Sequence, residues 1–127
     1  MRILLDTHIF LWYISSDPKL PANIRNRISD PENDVFLSVV SIWEAIVKHQ
    51  LGKLPLPHSA AIYLPQQRER HMIASLDLDE QSVMKLDTIP LLHRDPFDRM
   101  LISQALQHQL VIATVDNAIR EYPVSLL

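Results

Sequence analysis

Apolar positions fall along this chain in two kinds of block. The first kind is short and unbroken: Arg2 to Asp6, Val35 to Ser38 and Leu110 to Thr114. Runs that do not alternate between apolar and polar predict strands buried on both faces. Met72 to Leu76 is a weaker run of the same kind, and Val124 begins an expected edge strand. The second kind is longer, with apolar residues recurring at helical spacing. It predicts helices over Thr7 to Ile14, Ala22 to Ile28, Val40 to Leu51, His58 to His71, Asp79 to Leu86, Pro96 to Gln107 and Asn117 to Arg120. Pro21 starts one of these, Asp79 caps another, and Asp95-Pro96 supplies a cap and a first-turn proline. Gly52 is placed to stop the Val40 to Leu51 helix in a left-handed conformation. Pro65 is expected to kink or split its helix. Val83 and Leu86 are expected to share one face, and Ile89-Pro90-Leu91-Leu92 to rest against the body. Strands alternating with helices at this spacing predict an α/β fold, a mostly parallel sheet covered on both faces.

Length makes this one domain over residues 1–127, with room for one hydrophobic core. No apolar stretch approaches the ~18 residues of a membrane span. The N-terminus reaches Asp6 too soon for a signal peptide, so the expected location is the cytoplasm. The absence of cysteine removes disulfides, thiolate metal sites and a cysteine nucleophile. The single glycine, Gly52, removes glycine-rich phosphate loops. A net charge of -3 argues against a protein that works only by gripping nucleic acid backbone. It is less damaging to an enzyme that carries positive charge as bound metal.

Four acids stand where apolar packing would prefer none: Asp6, Glu44, Asp98 and Asp116. Asp6 and Asp116 each follow a strand and precede a helix. Each is an N-cap or a ligand at the carboxyl end of a strand, and position alone leaves both open. Asp98 falls at the third position of its helix, where an acid suits the helix dipole. It also lies on the side of Leu101, Ile102 and Ala105, where an unpaired charge is costly. Glu44 has no capping role, being one turn inside its helix among Val40, Val47 and Leu51. Its structural alternatives are an ion pair with Lys48 or with a distant arginine. Gathered together, the four would repel one another. A hard divalent cation, Mg²⁺ or Mn²⁺, reverses that cost and can activate water toward a phosphodiester. Hydroxyls of Thr7, Ser38, Ser41 and Thr114 are candidates to orient water or hold a ligating carboxylate.

Four segments in register carry a family resemblance: Leu4-Leu5-Asp6-Thr7-His8 with Leu11-Trp12; Ser38 to Ala45 with Lys48 and Gly52-Lys53-Leu54; Leu91 to Ile102 with Gln104-Ala105; and Thr114 to Ile119 with Tyr122-Pro123-Val124. The chain resembles PIN-domain proteins, specifically the toxin ribonucleases of bacterial VapBC-type toxin–antitoxin pairs. The resemblance implies a three-layer α/β/α sandwich and Mg²⁺- or Mn²⁺-dependent endonuclease activity on RNA. It implies Asp6, Glu44, Asp98 and Asp116 as the metal-binding acids, with Glu44 acting directly or through water. It makes Asp95 a cap first and a supporting acid second. It also implies a homodimer and a small antitoxin protein that covers the cleft. Arg94 and Arg99 are candidate substrate-backbone contacts or solvated helix-end charges, and His93 a phosphate contact or a loop anchor. Trp12 and Trp43 read as core or interface anchors before base-stacking platforms. His8 is expected to face away from Asp6. Two alternatives remain: a PIN-fold binding or regulatory protein without the chemistry, and a nuclease directed at DNA.

Overall fold

The computed structural model describes residues 1–127. It contains four strands, β1 (Arg2–Leu5), β2 (Asp34–Ser38), β3 (Ala74–Leu76) and β4 (Val111–Ala113). They form one sheet in the order β3-β2-β1-β4, and every pairing is parallel. Seven α-helices surround it: α1 (Thr7–Ile14), α2 (Ala22–Ser29), α3 (Val39–Gln50), α4 (Ala60–Arg70), α5 (Glu80–Lys85), α6 (Pro96–His108) and α7 (Asn117–Arg120). A 3-10 turn, Leu86–Thr88, follows α5. The expected edge strand after Val124 reduces to one bridge between Ile112 and Leu126. No helix is long and apolar enough to cross a membrane.

The unbroken apolar runs behave as predicted. Successive strand residues point to opposite faces, and here they feed two different cores. Ile3, Leu5, Val35, Leu37 and Ala113 pack with α1, α2, α4 and one face of α3. Leu4 and Ile112 pack with α6 and α7. The result is a three-layer α/β/α sandwich whose central strands need apolar side chains at every position.

Chain order places the site. After β1 the chain steps outward to β2 and then β3, and returns to add β4 on the other side of β1. The carboxyl ends of β1 and β4 are therefore the point where the winding reverses. Open α/β sheets leave a crevice there. The residues that leave those two strands are Asp6 and Thr114.

Gly52 ends α3 as predicted, with φ +72°. Its N–H donates to the His49 carbonyl and that of Lys53 to the Lys48 carbonyl, a Schellman ending. A Cβ at Gly52 would meet no atom within 4 Å, so only the backbone conformation resists substitution. Gly52→Ala is expected to lower stability by about 1 kcal/mol, read by urea denaturation. Pro65 lies inside α4 without splitting it.

Two apolar expectations fail. Val83 is exposed, as are Leu91 and Leu92; of the Ile89–Leu92 segment only Ile89 is buried. The segment is held through polar contacts instead. Arg99 Nη1 donates to the Pro90 carbonyl at 2.9 Å, and the N–H of Leu92 donates to the Tyr122 hydroxyl at 3.2 Å.

Candidate active site

The acids that stood out in the sequence converge. A cleft of about 250 Å³ at the carboxyl end of β1 and β4 is lined by Asp6, Glu44, Asp98 and Asp116, together with His8, Trp12, Lys48, Asp95 and Val115. The largest cavity, about 510 Å³, lies elsewhere, beside the start of β2 and the end of α4. No ionisable cluster of comparable density lines it, so size does not mark the site here.

Asp6 resolves clearly. It occupies the N-cap position of α1, yet its side chain caps nothing. Its Oδ2 accepts from the Thr114 hydroxyl at 2.8 Å, across the β1–β4 junction. The residue is 5% exposed. Burial raises its carboxyl pKa above the ordinary value, and the Thr114 bond and the nearby His8 only partly offset this. Asp116 resolves the other way. Its side chain accepts from the Ala118 N–H at 2.9 Å, capping α7, and the residue is exposed at the cleft margin. Thr114 serves both acids, because its oxygen also accepts from the Asp116 N–H at 2.9 Å.

Glu44 is 2% exposed, one turn into α3. Ser38 caps that helix through the Val40 N–H at 3.0 Å. Thr7 Oγ1 lies 2.7 Å from Glu44 Oε1 and 2.8 Å from Ser41 Oγ. With one proton to give, Thr7 donates to the carboxylate and accepts from Ser41. The other carboxylate oxygen, Oε2, accepts from Lys48 Nζ at 2.5 Å. The i,i+4 ion pair is thus real, and it is half-sheltered: the Lys48 side chain is about one-third exposed. Burial opposes the lysine's charge, but Glu44, then Asp95 and Asp98, outweigh it and raise its pKa.

Asp98 is 8% exposed and faces the cleft. Asp95 does the capping of α6, accepting from the N–H groups of Phe97 and Asp98 at 2.9 and 3.2 Å. Asp98 is therefore free of that role. Burial, then the charges of Asp6, Asp95, Glu44 and Asp116, push its carboxyl up to about 8. Its one side-chain donor is His93, with Nε2 at 3.3 Å from Oδ2.

Other candidates lie apart from the cleft. Ser38 donates to Gln104 Oε1 at 2.6 Å, so beyond capping α3 it ties that helix's start to α6. Arg99 turns to Pro90 and Tyr122 and faces no acid. His8 is a correction: it lines the cleft, and its charge acts on Asp6. Asp6 precedes the helix, so the helical rotation that would separate positions two apart does not apply between them. The sequence offered Lys48 as an ion-pair partner of Glu44 and within the family resemblance, and His93 as a phosphate contact or a loop anchor, but neither as a group that holds a cleft acid. The i,i+4 spacing from Glu44 was the one signal for that ion pair. Trp43 is 55% exposed, standing edge-on to Phe97 with ring centroids 4.8 Å apart.

Five acids outnumber the one lysine and one histidine that line the cleft with them, and form an oxygen-rich, overcharged wall. That donor chemistry fits a hard divalent cation. As the side chains stand, no three acids or histidines are placed to hold one ion together. Every buried side-chain nitrogen and oxygen already has a partner. Thr114, Thr7, His93 and Lys48 hold the acids in the arrangement seen.

Comparison with known proteins adds a family. The sequence matches the family model described as the PIN domain over residues 3–124. It is 35% identical over 66 residues to Ribonuclease VapC16 of Mycobacterium tuberculosis, a stretch covering 49% of this chain and 47% of that protein. The aligned stretch thus spans about half the length of that relative. The fold is similar to the crystal structure of VapBC2 from Rickettsia felis bound to a DNA fragment from their promoter. That match has a TM-score of 0.71 at 15% identity, over 100% of this chain and 97% of that one. It is also similar to DNA-bound VapBC from Salmonella typhimurium, with a TM-score of 0.71 at 20% identity, over 99% and 96% of the two chains.

Proposed function

The chain belongs to the PIN-domain family, and on that premise we propose that it is a divalent-cation-dependent endoribonuclease, the toxin of a toxin–antitoxin pair. The observation that carries this is Asp6: a buried carboxylate at the sheet's switch point, in capping position, whose side chain leaves the helix uncapped and joins four other acids along one cleft. Asp6, Glu44, Asp98 and Asp116 would hold Mg²⁺ or Mn²⁺. When bound, the ion supplies an activated water and neutralises charge building on the phosphoryl oxygens. The chain's own residues do the positioning. Thr114 holds Asp6, Thr7 holds Glu44, and Asp95 fixes the start of α6 so that Asp98 faces inward.

Residues 1–127 act in this reading as a single nuclease domain in the cytoplasm, forming a homodimer and restrained by a small antitoxin that covers the acidic cleft. The likeness to the VapBC structures supports a protein partner.

A second reading has two observations in its favour. Lys48 already neutralises Glu44, and the acids are not gathered as a coordination sphere. That would suit a binding or regulatory protein on the same fold. The test separates the readings. The purified chain is incubated with single-stranded RNA, structured RNA and matched DNA, with Mg²⁺, Mn²⁺ or a chelator. RNA cut only in the presence of the cation, with DNA intact, is the expected result. Cutting that survives the chelator, or preference for DNA, would overturn the proposal. Absence of both cutting and cation uptake by calorimetry would establish the non-catalytic reading.

A further inference from the structure

One buried oxygen organises the loop that precedes α6. The Tyr122 hydroxyl lies 3.2 Å from the N–H of Leu92, 3.1 Å from the N–H of His93 and 3.2 Å from Arg99 Nη1. All three are donors with no capacity to accept. A fourth nitrogen, His93 Nδ1, lies nearer still at 2.8 Å. A phenol oxygen offers two lone pairs and one proton. Three N–H groups already oversubscribe its lone pairs, so it has no room for a proton coming from Nδ1. Its own proton has one remaining acceptor, and that is Nδ1. The ring proton of a neutral His93 must then sit on Nε2, which faces Asp98 Oδ2 at 3.3 Å.

We infer that Tyr122 locks His93 as the Nε2–H tautomer, and that His93 is thereby a positioning residue for Asp98. The relay runs from Arg99 and two backbone N–H groups, through the Tyr122 hydroxyl and the His93 ring, to one carboxylate oxygen. No other side chain donates to Asp98. Rotation of a carboxylate about its last bond is otherwise soft, and this single donor fixes which oxygen is engaged. Arg99, sequestered from the cleft, thus acts on it from a distance, by helping to fill the Tyr122 lone pairs. The importance of the relay to chemistry rests on the proposed cation site. The tautomer does not.

The experiment is ¹⁵N-edited NMR of the imidazole rings in the full chain, without metal, at a pH where the rings are neutral. His93 is expected as the Nε2–H form. An Nδ1–H ring would overturn the assignment. Tyr122→Phe keeps the buried ring and removes the hydroxyl. It is expected to mix the tautomers and weaken Mn²⁺ binding by about tenfold, in the range of lost supporting contacts at metal sites. His93→Gln retains an amide donor toward Asp98 and should bind Mn²⁺ more tightly than His93→Ala, whereas equal loss in both would overturn the positioning role. Absence of Mn²⁺ binding by the parent chain would defeat the proposed function, and the parent's NMR spectrum would still decide the tautomer.

Discussion

Replacing Asp98 with Asn is expected to reduce cation-dependent RNA cleavage by at least a hundredfold and, in the same protein, to raise the melting temperature of the metal-free chain at about pH 8. The opposite signs separate a lost functional group from a damaged fold. Losing one preorganised charged group at a reacting centre costs on the order of a hundredfold to a thousandfold in rate. A variant that had lost activity through misfolding would also lose stability. The amide introduced by Asp98→Asn is nearly isosteric and still accepts from His93 Nε2. It carries no charge into a wall already crowded by Asp6, Asp95, Glu44 and Asp116. Relief of that repulsion and of the buried charge is worth a few kcal/mol at most, at about 1.4 kcal/mol for each tenfold change in proton affinity. The checks are a cleavage time course and a melting curve on one preparation. Undiminished cleavage would remove Asp98 from the site. Lost cleavage with a lower melting temperature would leave it a folding residue only.

The second large effect is the pH dependence of stability and its reversal by metal. Asp98 titrates at about 8 in the folded chain and near the ordinary value of about 3.9 when unfolded. Between those values the native state holds a proton that the unfolded chain has released. The stability this group contributes is therefore complete below about pH 4 and declines as pH rises through about 8. Asp6, also raised by burial, adds in the same direction. Asp79 is lowered by its hydrogen bonds with Ser82 and by His108, so its contribution is lost on acidification, below this window. Lys48, raised above 10.5, loses its contribution above the window. The metal-free melting temperature should thus fall between about pH 5 and pH 8. In the proposed site Mn²⁺ would bind the ionised acids, so its stabilisation should grow over that range, with protons released on binding. At a hundredfold excess over its dissociation constant it adds about 2.7 kcal/mol. A flat profile, or equal stabilisation by Mn²⁺ at both ends, would show that Asp98 is not an ionisable part of a cation site.

Periodicity delivered most of the scaffold because the cores are simple. Every position of β1 after Arg2 is buried, so Ile3-Leu4-Leu5 could not alternate, and the run showed it. Local signals also set the helix ends: Asp95-Pro96 began α6, and Gly52 ended α3. The acids divided differently. Glu44 was legible because nothing local explained a charge on that face. Asp6 and Asp116 share one local pattern, Asp after an apolar strand and before a helix. They part only because the Thr114 hydroxyl reaches Asp6 from the far end of the chain. The same reason hid the roles of His93 and Arg99, though both were candidates: their partner, Tyr122, lies 29 and 23 positions away. Exposed Leu91 and Leu92 misled for the opposite reason, since polar contacts to Tyr122 and Pro90 already hold that loop.

The β1–β4 junction also governs when the cleft can exist. Asp6 and Thr114, bonded through their side chains, are 108 positions apart. Contacts this distant require nearly the whole chain to be closed into a loop before they return any energy, and such contacts form late. During synthesis Asp6 emerges first and waits. A nascent chain still short of β4 has neither Thr114 nor Asp116, and its first strand lacks a neighbour on that side. Under the proposed ribonuclease function, topology would then act as a safety catch: the cutting edge could not close until β4 had been made and had reached β1.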